Sequence, residues 1–257
     1  MDIQCITFDW GDTLVTNRGN PYRMSLRRAI AALGADLQAA GQRVPAGWDE
    51  QTELAVTSHW SQSGHLQDDA EIDAMESITT AIESVCGAGA CQQAPIQALI
   101  DSFFTRFTAV LQPFHGVGEV LQALKGRGYR LGILSHVPWP AEQCRAWYRR
   151  HGWDQWLDFY SFSSEVGWIK PHPAHYRHAL AQAGCKPGQI LHVGDHPERD
   201  VRGGRDYGFR TCLRRSETFY SEQELDDCAA EFTVLHVKEL LDLLPTRCQE
   251  SECTTSS

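Results

Sequence analysis

The chain of 257 residues carries a formal net charge of −10 at pH 7, with 42% hydrophobic and 22% charged residues. This length suits one catalytic α/β domain with a smaller helical insertion. The negative charge opposes nucleic-acid binding, which needs a basic surface, and no apolar run reaches the roughly 20 residues of a membrane span. We therefore expect a small-molecule substrate, no nucleic acid and no membrane.

The first residues enter a strand pattern without a signal-like apolar segment, which predicts a cytoplasmic protein. Nine cysteines without a C-x-x-C pair indicate reduced thiols rather than a disulfide framework. Zinc binding by Cys86, Cys91, Cys248 and Cys253 is not predicted, because their spacing is looser than in usual zinc sites.

Residues 3–8 form a short apolar run that stops at a polar loop, Asp9-Trp10-Gly11-Asp12-Thr13. This pattern predicts a buried strand with a polar loop at its carboxyl end. Open α/β sheets bind their ligands at that edge.

The next stretch, from about residue 17 to residue 112, has helical character, with apolar residues at helical spacing. The first helix is marked by Leu26, Ile30, Leu33 and Leu37, and further helices are expected around 49–60, 68–86 and 95–111. A loop is predicted at Gly87-Ala88-Gly89-Ala90. The acidic run at the start of the third helix is interpreted as a solvated helix face rather than a metal site; it comprises Asp68, Asp69, Glu71, Asp73 and Glu76.

After Pro113 the pattern alternates between helices and strands, which predicts a parallel sheet covered on both faces. The expected helices are Val117–Arg127 and those near 140–151, 173–184 and 199–207, with one more at the end. The expected strands are Tyr129–Leu134, Ile190–Val193, Arg210–Leu213 and one near Phe232–Leu235. We thus expect an α/β core of residues 1–16 and 113–245, a helical cap of residues 17–112, and a flexible tail of residues 246–257.

Four short segments hold the polar groups that phosphoryl transfer needs: Asp9-Trp10-Gly11-Asp12-Thr13-Leu14, Leu134-Ser135-His136, Gly167-Trp168-Ile169-Lys170-Pro171, and Val193-Gly194-Asp195 with Asp200. Their order resembles the haloacid dehalogenase (HAD) superfamily, with its patterns D-x-D-G-T-L, a strand ending in Ser or Thr, G-x-x-K-P and G-D-x-x-x-x-D. The match covers roughly residues 3–15 and 113–240. The resemblance implies a phosphatase-like hydrolase with a Rossmann-like core and a first-type helical cap.

Roles follow from this resemblance and from the chemistry of each group. Asp9 is expected to attack phosphorus and form an aspartyl-phosphate. Backbone N–H groups of the Gly11-Asp12-Thr13 turn and the Ser135 hydroxyl would bind the phosphoryl oxygens. Lys170 would anchor the phosphate and keep Asp9 ionised.

A magnesium ion is expected at the same edge, because Mg²⁺ prefers hard oxygen ligands. Asp9, Asp195 and the Gly11 carbonyl would bind it. Asp200 is expected behind them, holding Lys170 or a metal-bound water. His136 and His196 follow site positions and are predicted to line the pocket.

The first motif departs from the family pattern, since Gly11 stands where the family has its second carboxylate. That carboxylate normally protonates the leaving group and then activates water, help typically worth about 10²–10⁴ in rate. Asp12 stands where the family has glycine, and Asp is one of the few residues that tolerate left-handed conformations. Asp12 is therefore either catalytic or structural.

Three other functions are compatible with parts of the sequence. A phosphonoacetaldehyde hydrolase needs a cap lysine, and residues 17–112 contain none. A 2-haloacid dehalogenase does not keep the intact Gly194-Asp195 pair, although Arg23, Arg27 and Arg28 could receive a halide. The third is a catalytically weakened binding protein, which Gly11 would explain. The favoured hypothesis is Mg²⁺-dependent hydrolysis of small phosphorylated metabolites.

Overall fold

The computed structural model describes residues 2–16, 22–63, 69–215 and 220–247. Its strands are β1 (Cys5–Phe8), β2 (Val15–Thr16), β3 (Gln112–Pro113), β4 (Arg130–Ser135), β5 (Phe159–Phe162), β6 (Ile190–Gly194), β7 (Arg210–Arg214) and β8 (Phe232–Val234). Six of them form one sheet of order β5-β4-β1-β6-β7-β8, in which every neighbouring pair is parallel. The predicted Rossmann-like α/β fold is confirmed.

Alternating residues of the central strands enter two separate hydrophobic clusters. Ile6 and Phe8 of β1 belong to the larger cluster, whereas Cys5 belongs to a second one with Leu134 and Ile190. Since successive side chains of a strand point to opposite faces, both faces of the sheet are covered. This is why the strands read as nearly continuous apolar runs.

The helices are α1 (Tyr22–Ala39), α2 (Trp48–Ser63), α3 (Ala74–Cys86), α4 (Ala94–Thr108), α5 (Val117–Gly126), α6 (Ala141–Arg150), α7 (Ser163–Val166), α8 (Pro173–Ala183), α9 (Gly203–Asp206), α10 (Glu222–Asp227) and α11 (Leu240–Leu243). A turn with π-type hydrogen bonding, Pro197–Arg202, comes directly before α9. In the described part of the chain, no helix has both the length and the apolar character needed to cross a membrane.

Helices α1 to α4 form the insertion between β2 and β3. The four apolar residues that mark the first predicted helix are all buried, which confirms that amphipathic pattern: Leu26, Ile30, Leu33 and Leu37. At the base of the insertion β2 pairs antiparallel with β3. The division into core, cap and tail domains stays a prediction, and residues 248–257 lie outside the described residues.

Two predictions of secondary structure were wrong in detail. The third helix begins at Ala74 rather than at residue 68, because Asp73 caps it by accepting a hydrogen bond from the Glu76 amide. Strand β5 was not predicted, although its residues, Phe-Tyr-Ser-Phe, are typical strand formers. The seven described cysteines are free thiols, and Cys248 and Cys253 are outside the described residues.

Strand β1 lies between β4 and β6, and the chain crosses to opposite sides of it. Phe8 is level with Ile133 of β4 and with Val193 of β6. The residues that follow these strands therefore meet at one sheet edge, which is the usual ligand-binding point of such a sheet.

Candidate active site

A buried lysine connects three segments at this edge. Lys170, 1% exposed, donates hydrogen bonds to Asp9 Oδ1 (2.8 Å), to Asp200 Oδ1 (2.5 Å) and to the Leu134 carbonyl (2.9 Å). The ammonium group is thus shared by two carboxylates and the end of β4. All four sequence motifs therefore meet at this nitrogen.

Asp200 is held from several directions besides Lys170. Its Oδ1 lies 3.1 Å from His192 Nε2, and its Oδ2 accepts a hydrogen bond from the His196 backbone amide at 2.9 Å. His192 Nδ1 in turn lies 3.0 Å from the Thr7 hydroxyl. Both carboxylate oxygens of Asp200 are therefore occupied by protein groups, in keeping with the predicted supporting position.

Asp195 lies beside this pair. Thr13 Oγ1 donates to Asp195 Oδ1 at 3.3 Å, which joins the first and fourth motifs. One carboxylate oxygen from each of Asp9, Asp195 and Asp200 lies within 4.8 Å of the others, a grouping that could hold a metal ion. Asp9 and Asp195, two of the three predicted cation ligands, are thus brought together, and the third member of the grouping is Asp200.

Lys170 and Asp200 shift each other's pKa in opposite directions. Burial alone would lower the pKa of Lys170, yet Asp200 and Asp9 raise it above its ordinary value. Burial would raise the pKa of Asp200, but Lys170 and His192 outweigh it and hold that pKa well below its usual range. This pair therefore stays ionised.

The remaining carboxyl groups are less well compensated. Burial raises the pKa of Asp9, against the opposing effect of Lys170. Burial also raises the pKa of Asp195 well above its ordinary value, and the charges of Asp200, Asp9 and Asp12 raise it further. Excess negative charge at a buried edge is the condition that a bound divalent cation relieves. The donor set, carboxylates at the end of parallel strands, fits such a cation.

The loop after Asp9 is tightly folded. The Trp10 carbonyl accepts hydrogen bonds from the Leu14 and Val15 amides, at 2.9 and 3.1 Å. Asp12 has a left-handed φ of 50°, the conformation its sequence position required. Gly11 is exposed, and a Cβ added there would meet nothing within 4 Å.

Asp12 is half-buried, and its carbonyl accepts a hydrogen bond from Arg214 Nη1 at 2.9 Å. Burial and the neighbouring Asp9 raise the pKa of the Asp12 carboxyl group, while Arg214 opposes the shift. The charge of Asp9 thus influences Asp12, and Arg214 of β7 holds the Asp12 main chain through its carbonyl.

The other predicted residues lie around this centre. Ser135 is buried at the end of β4, next to the carbonyl that Lys170 contacts. His196 Nδ1 accepts from two amides of the following turn, at 3.3 and 3.4 Å, so that nitrogen caps the turn. Burial is the main cause that lowers the pKa of His196 to about 4. His136 lies 3.4 Å from Glu71 of the insertion.

Four polar residues of this region were missed from the sequence. Glu71 was interpreted as part of a solvated helix face, which is wrong, because it precedes α3 and its side chain is only 3% exposed. His192 is the single polar residue inside the otherwise apolar strand β6, and this was the signal that could have found it. Arg199 and Arg214 carry no motif.

Residues 3–208 match the family of haloacid dehalogenase-like hydrolases. The chain belongs to this family. The family region includes Asp9, Lys170 and Asp195, the residues whose convergence is described above.

Curated relatives of this HAD-family chain include phosphatases. A glyceraldehyde 3-phosphate phosphatase from Methanothermobacter thermautotrophicus is 32% identical over 118 residues, which cover 45% of this chain and 50% of that protein. The chain therefore spans about half the length of this curated relative.

Two solved structures share the fold over nearly the whole chain. A HAD phosphatase from Thermococcus onnurineus has a TM-score of 0.64 at 18% identity, covering 95% of this chain and 99% of its own. A 2-haloacid dehalogenase from Pseudomonas syringae pv. Tomato has a TM-score of 0.66 at 21% identity, covering 94% and 97%. At these identities the likeness concerns the fold.

The arginines considered for halide binding have partners within the insertion. Arg23 and Arg27 of α1 form ion pairs with Glu53 of α2, and Arg28 contacts the Met24 sulfur. Glu53 thus offsets part of the positive charge of Arg23 and Arg27.

Proposed function

We propose that this HAD-family chain hydrolyses small phosphorylated metabolites with the help of Mg²⁺, through an aspartyl-phosphate on Asp9. The observation that carries the proposal is the placement of Lys170 between Asp9 and Asp200, with Asp195 alongside. A purely structural ion pair has no need of a third buried carboxylate at the same sheet edge.

Asp9 is the proposed nucleophile. One of its carboxylate oxygens forms a bond to phosphorus while the bond from phosphorus to the ester oxygen breaks, and the electron pair leaves with the alcohol. Water then attacks the phosphorus of the acyl phosphate and releases phosphate, which regenerates Asp9. Lys170 keeps Asp9 ionised between turnovers and offers positive charge to the phosphoryl oxygens.

Substrate positioning falls to the surrounding groups. We assign phosphoryl-oxygen binding to the Ser135 hydroxyl and to the backbone of the turn that contains Gly11 and Thr13. His136 and His196 are assigned to the rim of the pocket.

A divalent cation would be held by Asp9, Asp195 and the Gly11 carbonyl, and it would supply positive charge against which phosphate and carboxylate can approach each other. Asp200 supports this arrangement through Lys170 and the His196 amide.

Proton transfer to the leaving group is the weak point of the site, because Gly11 has no side chain. Asp12 is the candidate substitute, since burial and Asp9 raise the pKa of its carboxyl group and so favour its protonated form. The missing side chain is expected to slow alkyl esters more than activated phosphates, whose leaving groups need little protonation.

Phosphate release from p-nitrophenyl phosphate, measured with added MgCl₂ and then with EDTA, tests the proposal. We expect turnover that depends on Mg²⁺ and that is lost in Asp9→Asn. Chloride release from 2-chloropropionate without metal would favour the dehalogenase instead. Binding of phosphate without turnover of any ester would favour a binding protein.

A further inference from the structure

A short segment of the insertion, just before α3, lies against the loop that leads to Lys170. The Ile169 amide donates to the Asp69 carbonyl at 2.8 Å, and the Glu71 amide donates to the Gly167 carbonyl at 3.0 Å. These two backbone hydrogen bonds fix the segment beside the catalytic edge. The insertion therefore contributes Glu71 to the surroundings of the site.

The Glu71 side chain is buried with one oxygen unused. It is 3% exposed, and its Oε1 accepts a hydrogen bond from the Ile72 amide at 2.8 Å. Its Oε2 has no hydrogen-bond partner among the described residues. A buried acceptor without a partner is costly, so this oxygen is ready to accept a hydrogen bond from a ligand.

His136 and Arg199 define the polarity around this oxygen. Arg199 Nη1 lies 3.2 Å from His136 Nδ1, and a guanidinium group can only donate. His136 Nδ1 is therefore the acceptor, and the ring proton is on Nε2. That nitrogen lies 3.4 Å from Glu71 Oε2, which is too long for a good hydrogen bond and leaves the oxygen's capacity open.

The three side chains come from positions next to the catalytic groups. His136 directly follows Ser135, Arg199 directly precedes Asp200, and Glu71 is bonded to the loop before Lys170. A group bound at Glu71 Oε2 is thus adjacent to the phosphoryl site without being part of it. The organic portion of a phosphate ester occupies such a position.

We propose that Glu71 determines specificity by accepting a hydrogen bond from a hydroxyl or ammonium group on the organic part of the substrate. This inference rests on the proposed phosphatase function. Among alkyl phosphates, those of polyols or amino alcohols are preferred over esters without a hydrogen-bond donor. Esters whose leaving group carries a carboxylate are disfavoured, because that group has no donor and has the same charge as Glu71.

The test compares esters that differ only in the donor. With Mg²⁺, kcat/KM is measured for glycerol 1-phosphate against propyl phosphate, and for phosphoethanolamine against ethyl phosphate. The first pair reports a hydroxyl donor and the second an ammonium donor. In the wild type we expect at least one pair to differ by about tenfold or more in favour of the donor.

The variant Glu71→Met removes the acceptor at similar length, and the donor preference is expected to fall below about twofold. Glu76→Met, the same change at an exposed position in the first turn of α3, should leave both ratios unchanged. An equal loss on both members of a pair in Glu71→Met, as from altered folding, would overturn the proposal, as would wild-type ratios near one in both pairs. If the wild type released phosphate neither from any of the four esters nor from p-nitrophenyl phosphate, the proposed function itself would fail.

Discussion

Two ion-pair clusters, one in the core and one in the insertion, have the same chemistry and different surroundings. In the core, Lys170 is buried between Asp9 and Asp200. In the insertion, Glu53 is also buried, at 6% exposure, but it binds two arginines, Arg23 and Arg27, whose side chains are 68% and 58% exposed. Removing Lys170 leaves buried carboxylates without their shared cation, whereas removing one exposed arginine leaves Glu53 paired with the other. The core cluster therefore organises a site, and the insertion cluster merely joins two helices.

The largest contrast is expected from removing one cation in each cluster. Lys170→Met leaves two buried carboxylates unpaired, so we expect a loss of about 3–5 kcal/mol in the free energy of unfolding and at least about 10³-fold in kcat. Arg27→Met should cost less than about 1 kcal/mol. Urea unfolding and phosphate release measure both. Equal destabilisation by the two changes would remove the distinction between the clusters.

The core site also differs from the family pattern because Gly11 cannot donate a proton. A substitution at Gly11 can restore the missing carboxyl group. Gly11→Asp places a carboxylate where a Cβ meets no neighbour. We expect kcat on propyl phosphate to rise by about 10²-fold, and less on p-nitrophenyl phosphate, whose leaving group needs little protonation. Asp12→Asn is made both in the wild type and in the Gly11→Asp variant. It should lower kcat more in the wild type, where Asp12 is the only candidate proton donor. A fall in activity on both esters in Gly11→Asp would contradict the account.

Behind the core cluster, His192 connects Asp200 to Thr7. His192→Leu removes the contact to Asp200, so we expect about a tenfold or larger rise in the Mg²⁺ concentration needed for half-maximal turnover. His192→Gln keeps a donor nitrogen at a similar distance and should recover most of that affinity. Unchanged Mg²⁺ dependence in His192→Leu would show that His192 serves packing alone.

The pH dependence of stability is expected to come from histidines of the core. Burial and Lys170 lower the pKa of His175 from its ordinary 6.5 to about 3. Below pH 6.5 the unfolded chain takes up this proton and the folded chain does not, so stability falls as the pH drops toward 3.

His175→Gln keeps a donor for the Ser161 carbonyl, which His175 Nε2 contacts at 3.0 Å. It should reduce the slope of unfolding free energy against pH by up to about 1.4 kcal/mol per pH unit. Exposed His115→Gln is the matched control. An unchanged slope in His175→Gln would mean that this proton uptake does not contribute.

Local sequence patterns were sufficient to predict how the main site residues of the core are arranged. An apolar strand followed at once by polar residues predicted where Asp9 and Asp195 lie, because parallel strands end at one edge. The left-handed Asp12 followed from its position in the turn. Helical spacing in the insertion predicted which leucines of α1 are buried.

Contacts made by single side chains outside the motifs had no such pattern. His192 contacts Asp200 of the fourth motif, yet it looks like an ordinary strand residue in the sequence. Glu71 seemed to belong to a charged helix face, because the acidic run offers several residues that could cap α3, and Asp73 is the one that does. The burial of Glu71 depends on hydrogen bonds to a loop nearly a hundred residues away. Such partners become visible only once the chain is folded.

Direct detection of the covalent intermediate tests the central claim. The enzyme is quenched in acid during turnover of p-nitrophenyl phosphate with Mg²⁺, digested, and analysed by peptide mass spectrometry. We expect a phosphoryl group on Asp9 that hydroxylamine removes, as an acyl phosphate requires, and that is absent in Asp9→Asn. Turnover with the phosphoryl group on another residue, or undiminished turnover in Asp9→Asn, would contradict that claim.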